Sequence, residues 1–257
     1  MIKNLVIAQL RETFTLRKIL IFILSLSILL VIRLYMFTND LKVMDQTASL
    51  IDWVLYSVGG PVGHTRLLNG VFFLILLFIV TTLCRPLYEK NTFIYSILLT
   101  KANSRFSWIT SIFLNQLIVS FISVLITITL SFLLGSFNFD IGMASFFLEG
   151  IHAFSYSASV ILFFSIVSGV WFINCLMSAQ HLFPEIDLSN QAVSVTILML
   201  LLLLHVYFPI LDNINPIAYA SLSSLISYGT DLKTVIFFRL VVVLVVNTLL
   251  TLFSVKK

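Results

Sequence analysis

The chain has 257 residues, of which 60% are hydrophobic and only 10% are charged, and its formal net charge is +4. A soluble domain of this length would carry about 64 charged residues, so the composition excludes an ordinary soluble enzyme and a disordered chain. The two cysteines are too few for a disulfide scaffold, and the basic residues lie beside apolar runs, which argues against nucleic acid as a partner. We therefore expect an integral membrane protein.

The first predicted element is an amphipathic helix over residues 1–18. Its apolar stripe consists of Ile2, Leu5, Val6, Leu10 and Phe14. The charged and amide side chains, Gln9 among them, lie mostly on the other side of the helix. A helix of this kind lies flat at the membrane interface before the first crossing, here on the cytoplasmic side.

Six later stretches are apolar over about 20 residues, the length that a helix needs to cross the hydrocarbon. They are residues 19–36, 67–84, 107–134, 153–178, 193–211 and 234–254. These stretches are apolar on all sides, whereas the strands of a membrane barrel alternate. Lysine and arginine favour the side that holds the loop after the second span, so we expect both termini in the cytoplasm. The fold class is all-α, a single six-span domain over 1–257.

The cytoplasmic loop over residues 85–105 contains a short predicted helix. Pro86 ends the outgoing span, Thr92 can cap the short helix, and Asn103 or Ser104 can cap the third span. The apolar face of the short helix consists of Phe93, Ile94, Ile97 and Leu98. An apolar face with a charged rim suits docking in a groove of a soluble partner, and a helix on the membrane surface is the alternative.

The segment over residues 208–232 lies between the fifth and sixth spans. It is too broken by proline to cross the membrane as a helix and too apolar to lie free in water. We expect a re-entrant hairpin on the exterior side, buried in protein.

The spans lack groups that would power or catalyse a reaction. None of the 11 carboxylates falls inside a predicted span, and no phosphate-binding loop, nucleophile elbow or metal-ligand spacing occurs. We therefore expect that the chain is not an enzyme and holds no cofactor. If it transports a substrate, another chain supplies the energy.

Two arginines, Arg33 and Arg239, lie near the exterior ends of the first and sixth spans. They either extend to the interface or face the bundle interior and hold an anionic group of a substrate. Amides inside the spans either line a pathway or join helices through hydrogen bonds. These amides are Asn115, Gln116, Asn174 and Asn247. The candidate pathway residues are Arg33, Asn115, Asn174, Arg239 and Asn247.

The order of these elements resembles the ABC-2-type permeases, the membrane subunits of ATP-driven exporters. The family's loop after the second span resembles E-x-G-T, then Leu-Leu, then P-x-S-R. The residues in those places are Glu89, Thr92, Leu98, Leu99, Ser104 and Arg105. Asn91 and Ala102 stand where the family has glycine and proline. The exterior Asn215-Pro216 and Tyr219 are similar to the family's segment before the last span.

The resemblance implies an export pathway formed with a second copy or a related permease in a bacterial cell membrane. Two separate ATP-binding cassette subunits would carry the ATP and Mg²⁺. The residues expected to dock them are Arg85, Glu89, Thr92, Phe93, Ile94, Ile97, Leu98, Leu99, Lys101, Ser104 and Arg105. The compact size is similar to permeases that export peptides (bacteriocins, toxins) or antimicrobial compounds. The alternatives are a non-transporting immunity or scaffold protein that sequesters a peptide, and export of a lipid or lipid-linked glycan.

Overall fold

The computed structural model describes residues 2–44, 47–58, 66–84, 105–141 and 191–211, with shorter pieces at 163, 166–167, 169–171, 173, 215, 217–218, 237, 241–242 and 245. Regular structure in these residues is helical and includes no strand, which confirms the all-helical prediction for this part of the chain. The helices are α1 (Ile2–Thr13), α2 (Leu16–Met44), α3 (Leu50–Val58), α4 (Arg66–Cys84), α5 (Arg105–Gly135) and α6 (Gln191–Tyr207), and a 3-10 turn follows at Pro209–Leu211.

Two of the described helices are long and apolar enough to cross a membrane, at Leu16–Val43 in α2 and Thr110–Gly135 in α5. Only 28% and 33% of their most apolar stretches is buried inside the protein. Large apolar side chains on the uncovered sides include Leu20, Leu24 and Phe121. Hydrocarbon accommodates such faces, whereas in water they would form unusually large exposed apolar patches. Both helices therefore support a membrane location.

The predicted N-terminal helix ends earlier than expected. The prediction of one helix over 1–18 is wrong, because α1 ends at Thr13 and residues 16–18 belong to α2. Lys18 Nζ donates to the backbone carbonyl of Glu12 at 2.6 Å and forms a salt bridge with its carboxylate at 3.1 Å. A lysine that binds the last carbonyls of a helix favours an end at that place.

Helix α1 packs against the first turns of α5. Gln9 is fully buried there, and its Nε2 donates to Ser111 Oγ at 2.9 Å. The prediction that Gln9 lies on the polar side of the helix is therefore wrong. The physical reason is that Gln9 follows Leu5 and Val6 by four and three residues, so it lies on the apolar stripe that α5 covers, where Ser111 offers the amide a hydroxyl acceptor.

Helix α3 packs against the far ends of α2 and α5. Trp53 Nε1 donates to the backbone carbonyl of Ser131 at 2.7 Å, and the Leu50 amide donates to the carbonyl of Asp140 at 3.0 Å. On the α2 side, the Phe37 ring lies 5.8 Å from Trp53 between ring centroids. Helix α1 contacts the start of α5 and leads directly into the start of α2, so these two starts lie at the same end of the bundle. Helix α3 contacts the C-terminal ends of both α2 and α5, so α2 and α5 run in the same direction.

Helices α4 and α6 complete the described bundle. Helix α4 contacts α2, α5 and α6. A Cβ on Gly70 would lie 2.8 Å from Leu202 Cδ1, so the start of α4 approaches the second half of α6 closely. These helices and α5 begin within two residues of the predicted spans 67–84, 107–134 and 193–211. The predicted fourth and sixth spans contain only short described helical pieces, and their extents lie outside the described residues.

Candidate functional site

Polar side chains cap the N-terminus of α3. Asp52 is fully buried, and its Oδ2 accepts hydrogen bonds from the Ser49 amide at 2.9 Å and the Ser49 hydroxyl at 2.8 Å. In return, the Asp52 amide donates to Ser49 Oγ at 3.2 Å. This reciprocal pair is a capping box, which satisfies backbone donors that have no partner inside a helix. The buried carboxylate of Asp52 therefore has a structural role.

Arg33 of α2 lies at the C-terminal end of α3. Its side chain is 0% exposed, and Nη2 donates to the backbone carbonyl of Tyr56. That carbonyl is among the last four of α3. These carbonyls accept no hydrogen bond from the helix backbone, and they form the negative end of the helix dipole. The guanidinium carbon also lies 5.2 Å from the centroid of the Tyr56 ring. Of the two interpretations for Arg33, extension to the interface is wrong, because α3 covers the side chain.

Aromatic and acidic groups surround this arginine. The Tyr56 ring lies 4.7 Å from the Phe37 ring, and its hydroxyl donates to Asp40 Oδ2 at 3.1 Å. The Nε and Nη1 atoms of Arg33 have no hydrogen-bond partner in the part of the chain that the structure describes. Three N–H groups of a fully buried cation therefore have no acceptor among the described residues.

A column of buried polar side chains runs along α5, mostly at spacings of three or four residues, which brings each member close to the next on the helix surface. Its members are Ser107, Ser111, Asn115, Gln116, Ser120, Ser123, Thr127 and Ser131. From first to last, the column covers about 36 Å at a rise of 1.5 Å per residue. At one end Gln9 contacts Ser111, and at the other Ser57 Oγ lies 2.8 Å from Ser131 Oγ. The hydroxyl members of this column were not predicted from the sequence.

Asn115 is the least satisfied member of the column. It is 0% exposed, and neither its Nδ2 nor its Oδ1 has a partner among the described residues. The interpretation of Asn115 as a hydrogen-bonded link between described helices is therefore wrong. Gln116, the next residue, is also fully buried, but it does have an interaction partner.

Replacing Asn115 by leucine should stabilise the protein. A buried amide without partners costs about 1–3 kcal/mol, and leucine has a similar shape without the polar atoms. We expect the thermal unfolding midpoint in detergent to rise by roughly 2–4 °C per kcal/mol gained. The matched variant Gln116→Leu should lower the midpoint, because it removes a partnered amide. A fall in stability for Asn115→Leu would mean that the amide is satisfied inside the folded chain.

The predicted docking segment lies between two described helices. Residues 85–104 connect Cys84, the end of α4, to Arg105, the start of α5, and their structure lies outside the described residues. Helix α5 starts directly after Ser104, in agreement with the predicted cap position. Ser111, which Gln9 contacts, is only six residues after Arg105, so the segment joins α5 at the end where α1 packs. Asn174, Arg239 and Asn247 also fall outside the described residues.

Carboxylates are far from the middle of both candidate spanning helices. The Thr110–Gly135 stretch of α5 contains no charged residue. Asp40 lies inside α2, which continues past the predicted end at residue 36, but it is about 16 Å from the middle of the Leu16–Val43 stretch. That distance is the edge of a hydrocarbon core about 30 Å thick. Among the described residues, no group of His, Cys, Asp and Glu could hold a metal ion.

The chain after α6 folds back along that helix. Asn215 Nδ2 donates to the backbone carbonyl of Leu201 at 2.7 Å, and its Oδ1 accepts from the Ile217 amide at 3.0 Å. Ile217 and Ala218 are fully buried. Leu201 is about 9 Å before Tyr207 along the helix axis, so this part of the predicted 208–232 hairpin returns toward the bundle.

Comparison of the chain with protein-family models, with curated proteins and with solved structures finds no match. The arrangement of side chains in the molecule is therefore the basis for the function proposed below. The two features used there are the position of the predicted docking segment before α5 and the buried polar residues of the bundle.

Proposed function

We propose that the chain is the permease subunit of an ATP-binding cassette exporter, with six spans and both termini in the cytoplasm. The observation that carries the proposal is the position of the segment 85–104, which joins α5 at the end of the bundle where the amphipathic helix α1 packs. That segment contains the matches to the ABC-2 loop, including Glu89, Thr92 and Ser104. The short helix predicted within this segment has an apolar face and a charged rim, which suits docking to a soluble partner.

The energy source in this proposal is a partner chain. The described spanning stretches hold no carboxylate near their middle, and carriers driven by protons need titratable groups at that depth. Two ATP-binding cassette subunits would supply ATP hydrolysis with Mg²⁺, and a second permease copy or a related permease would complete the pathway. The substrate is a peptide such as a bacteriocin or toxin, or an antimicrobial compound.

Movement of the docking helix would reach the bundle through adjacent helices. When ATP closes the two partner subunits, the 92–99 helix follows its groove and pulls on the end of α4. Helix α4 contacts both α2 and α6, so these three helices can tilt as a connected set. The pathway residues proposed for this motion are Arg33, Asn115, Asn174, Arg239 and Asn247.

The proposal predicts a gene for an ATP-binding cassette subunit next to the gene for this chain, and reconstitution of the two proteins tests it. We expect a complex that survives detergent purification and an ATP turnover that changes when the permease is added. An immunity or scaffold protein would bind its peptide without any effect on ATP turnover. Absence of a complex, with the chain folded and inserted, would contradict the proposed function.

A further inference from the structure

The guanidinium of Arg33 has an unbalanced charge. It is 0% exposed, and within the described ranges its hydrogen bond goes to the Tyr56 carbonyl while Nε and Nη1 have no acceptor. Burying a cation without a full counter-charge is costly, and in a membrane-spanning helix such residues commonly mark a functional site. We therefore expect Arg33 to bind a further group that carries negative charge.

The groups around Arg33 supply only part of the missing negative charge. The C-terminal end of α3 carries about half an elementary charge, and the face of the Tyr56 ring adds a weak attraction. Asp40 Oδ2 accepts from the Tyr56 hydroxyl at 3.1 Å, and Asp52 Oδ2 binds Ser49 at the opposite end of α3. No salt bridge joins either carboxylate to Arg33 in the part of the chain that the structure describes.

We propose that Arg33 is the binding residue for an oxyanion, a phosphate or carboxylate group, between α2 and the C-terminal end of α3. A phosphate or carboxylate is the ligand that best fits a planar guanidinium with several unused N–H groups, because its oxygens can accept two parallel hydrogen bonds. The inference depends on α2 and α3 alone, so it would stand even if no ATP-binding subunit docked to this chain.

Binding requires that the C-terminal end of α3 move. Because the side chain of Arg33 is fully buried and bonded to Tyr56 of α3, an oxyanion reaches Nε and Nη1 only when this end of α3 moves away. The other end of α3 is held separately, by Leu50 and Trp53 on the far end of α5. Anion occupancy should therefore loosen the last turn of α3, which carries Tyr56.

Hydrogen–deuterium exchange over α3 measures this loosening directly. The full chain is placed in nanodiscs of phosphatidylcholine alone, of phosphatidylcholine with phosphatidylglycerol, and of phosphatidylcholine with inorganic phosphate in the buffer. We expect faster exchange at the last amides of Leu50–Val58 in at least one anion arm. A response to phosphatidylglycerol alone identifies a lipid headgroup, and a response to inorganic phosphate identifies a free anion.

Variants at Arg33 and one control separate a specific site from general charge effects. Arg33→Gln should abolish the anion dependence, and Arg33→Lys should weaken anion binding by about tenfold, because lysine lacks the planar fork. Lys42→Gln removes an exposed cation from the same end of α2 and should leave the response unchanged. An unchanged exchange rate in both anion arms of the wild-type chain, or an equal response in Arg33→Gln, would overturn the proposal.

Discussion

Substituting alanine for Gly135 should detach α3 from α5 and lower the stability of the protein by about 2–4 kcal/mol, from overpacking and a lost hydrogen bond. A Cβ at this position would lie 2.2 Å from Trp53 Cδ1 and 2.5 Å from Leu50 Cδ1. Both neighbours belong to α3, and Trp53 is fixed by its bond to the Ser131 carbonyl. The added methyl group therefore forces the indole away and breaks that bond. Thermal unfolding in detergent, followed by tryptophan fluorescence, measures the effect.

Gly70→Ala is the matched control for this substitution. Its added Cβ would lie 2.8 Å from Leu202 Cδ1 and 3.0 Å from Cδ2, at the far end of one flexible side chain. Leucine can change rotamer to relieve the contact, so we expect a loss below about 1 kcal/mol, within the range for a tolerated core change. Equal losses for the two variants would show that α3 does not pack on Gly135 as described.

Charge reversal at the predicted docking segment should weaken docking of the proposed ATP-binding subunit and so lower the ATP turnover that depends on this chain. The double variant Glu89→Lys with Arg105→Glu inverts the charges that would fix the register of the docked helix. Like charges placed opposite each other in an interface cost several kcal/mol, so we expect at least about a tenfold loss of permease-dependent ATP turnover. The readout is ATP hydrolysis by the reconstituted complex, together with the amount of inserted permease.

A charge reversal elsewhere at the same end of the bundle controls for this experiment. Lys3→Glu changes an exposed residue of α1, outside the docking segment. It should leave ATP turnover near the wild-type value. Transport and turnover that survive the double reversal would remove the docking role assigned to Glu89 and Arg105.

The apolar runs predicted the positions of α4, α5 and α6 well, because each run is long and begins near polar residues. The end of α2 was harder to predict. Thr38, Asn39 and Asp40 suggest the end of a span, but residues 37–44 contain no proline or glycine, so nothing local stops the helix. Helix α3 was missed because nine residues are too short to stand out as a separate element, and it is stabilised by its caps and by packing on α5.

The arrangement of the candidate site could not be predicted from the sequence, because it depends on contacts between residues that are far apart in the chain. Whether Arg33 faces lipid or protein is decided by Tyr56, which is 23 residues away in sequence. The buried position of Gln9 depends on Ser111, which is 102 residues away. The serine and threonine residues along α5 did not indicate a buried polar column in the sequence, because such hydroxyls also bond to their own helix. Thr127, for example, donates to the Ser123 carbonyl.

Cysteine labelling tests the central claim that the 92–99 helix docks a cytoplasmic ATPase. With Cys84 and Cys175 replaced by serine, single cysteines are introduced as Ile97→Cys and, as an exterior control, Lys42→Cys. A membrane-impermeant maleimide should label the Lys42 variant in intact cells and the Ile97 variant only in inverted vesicles, where the ATP-binding subunit should protect it. Labelling of the Ile97 variant from outside intact cells, or no protection by the ATP-binding subunit, would contradict the account.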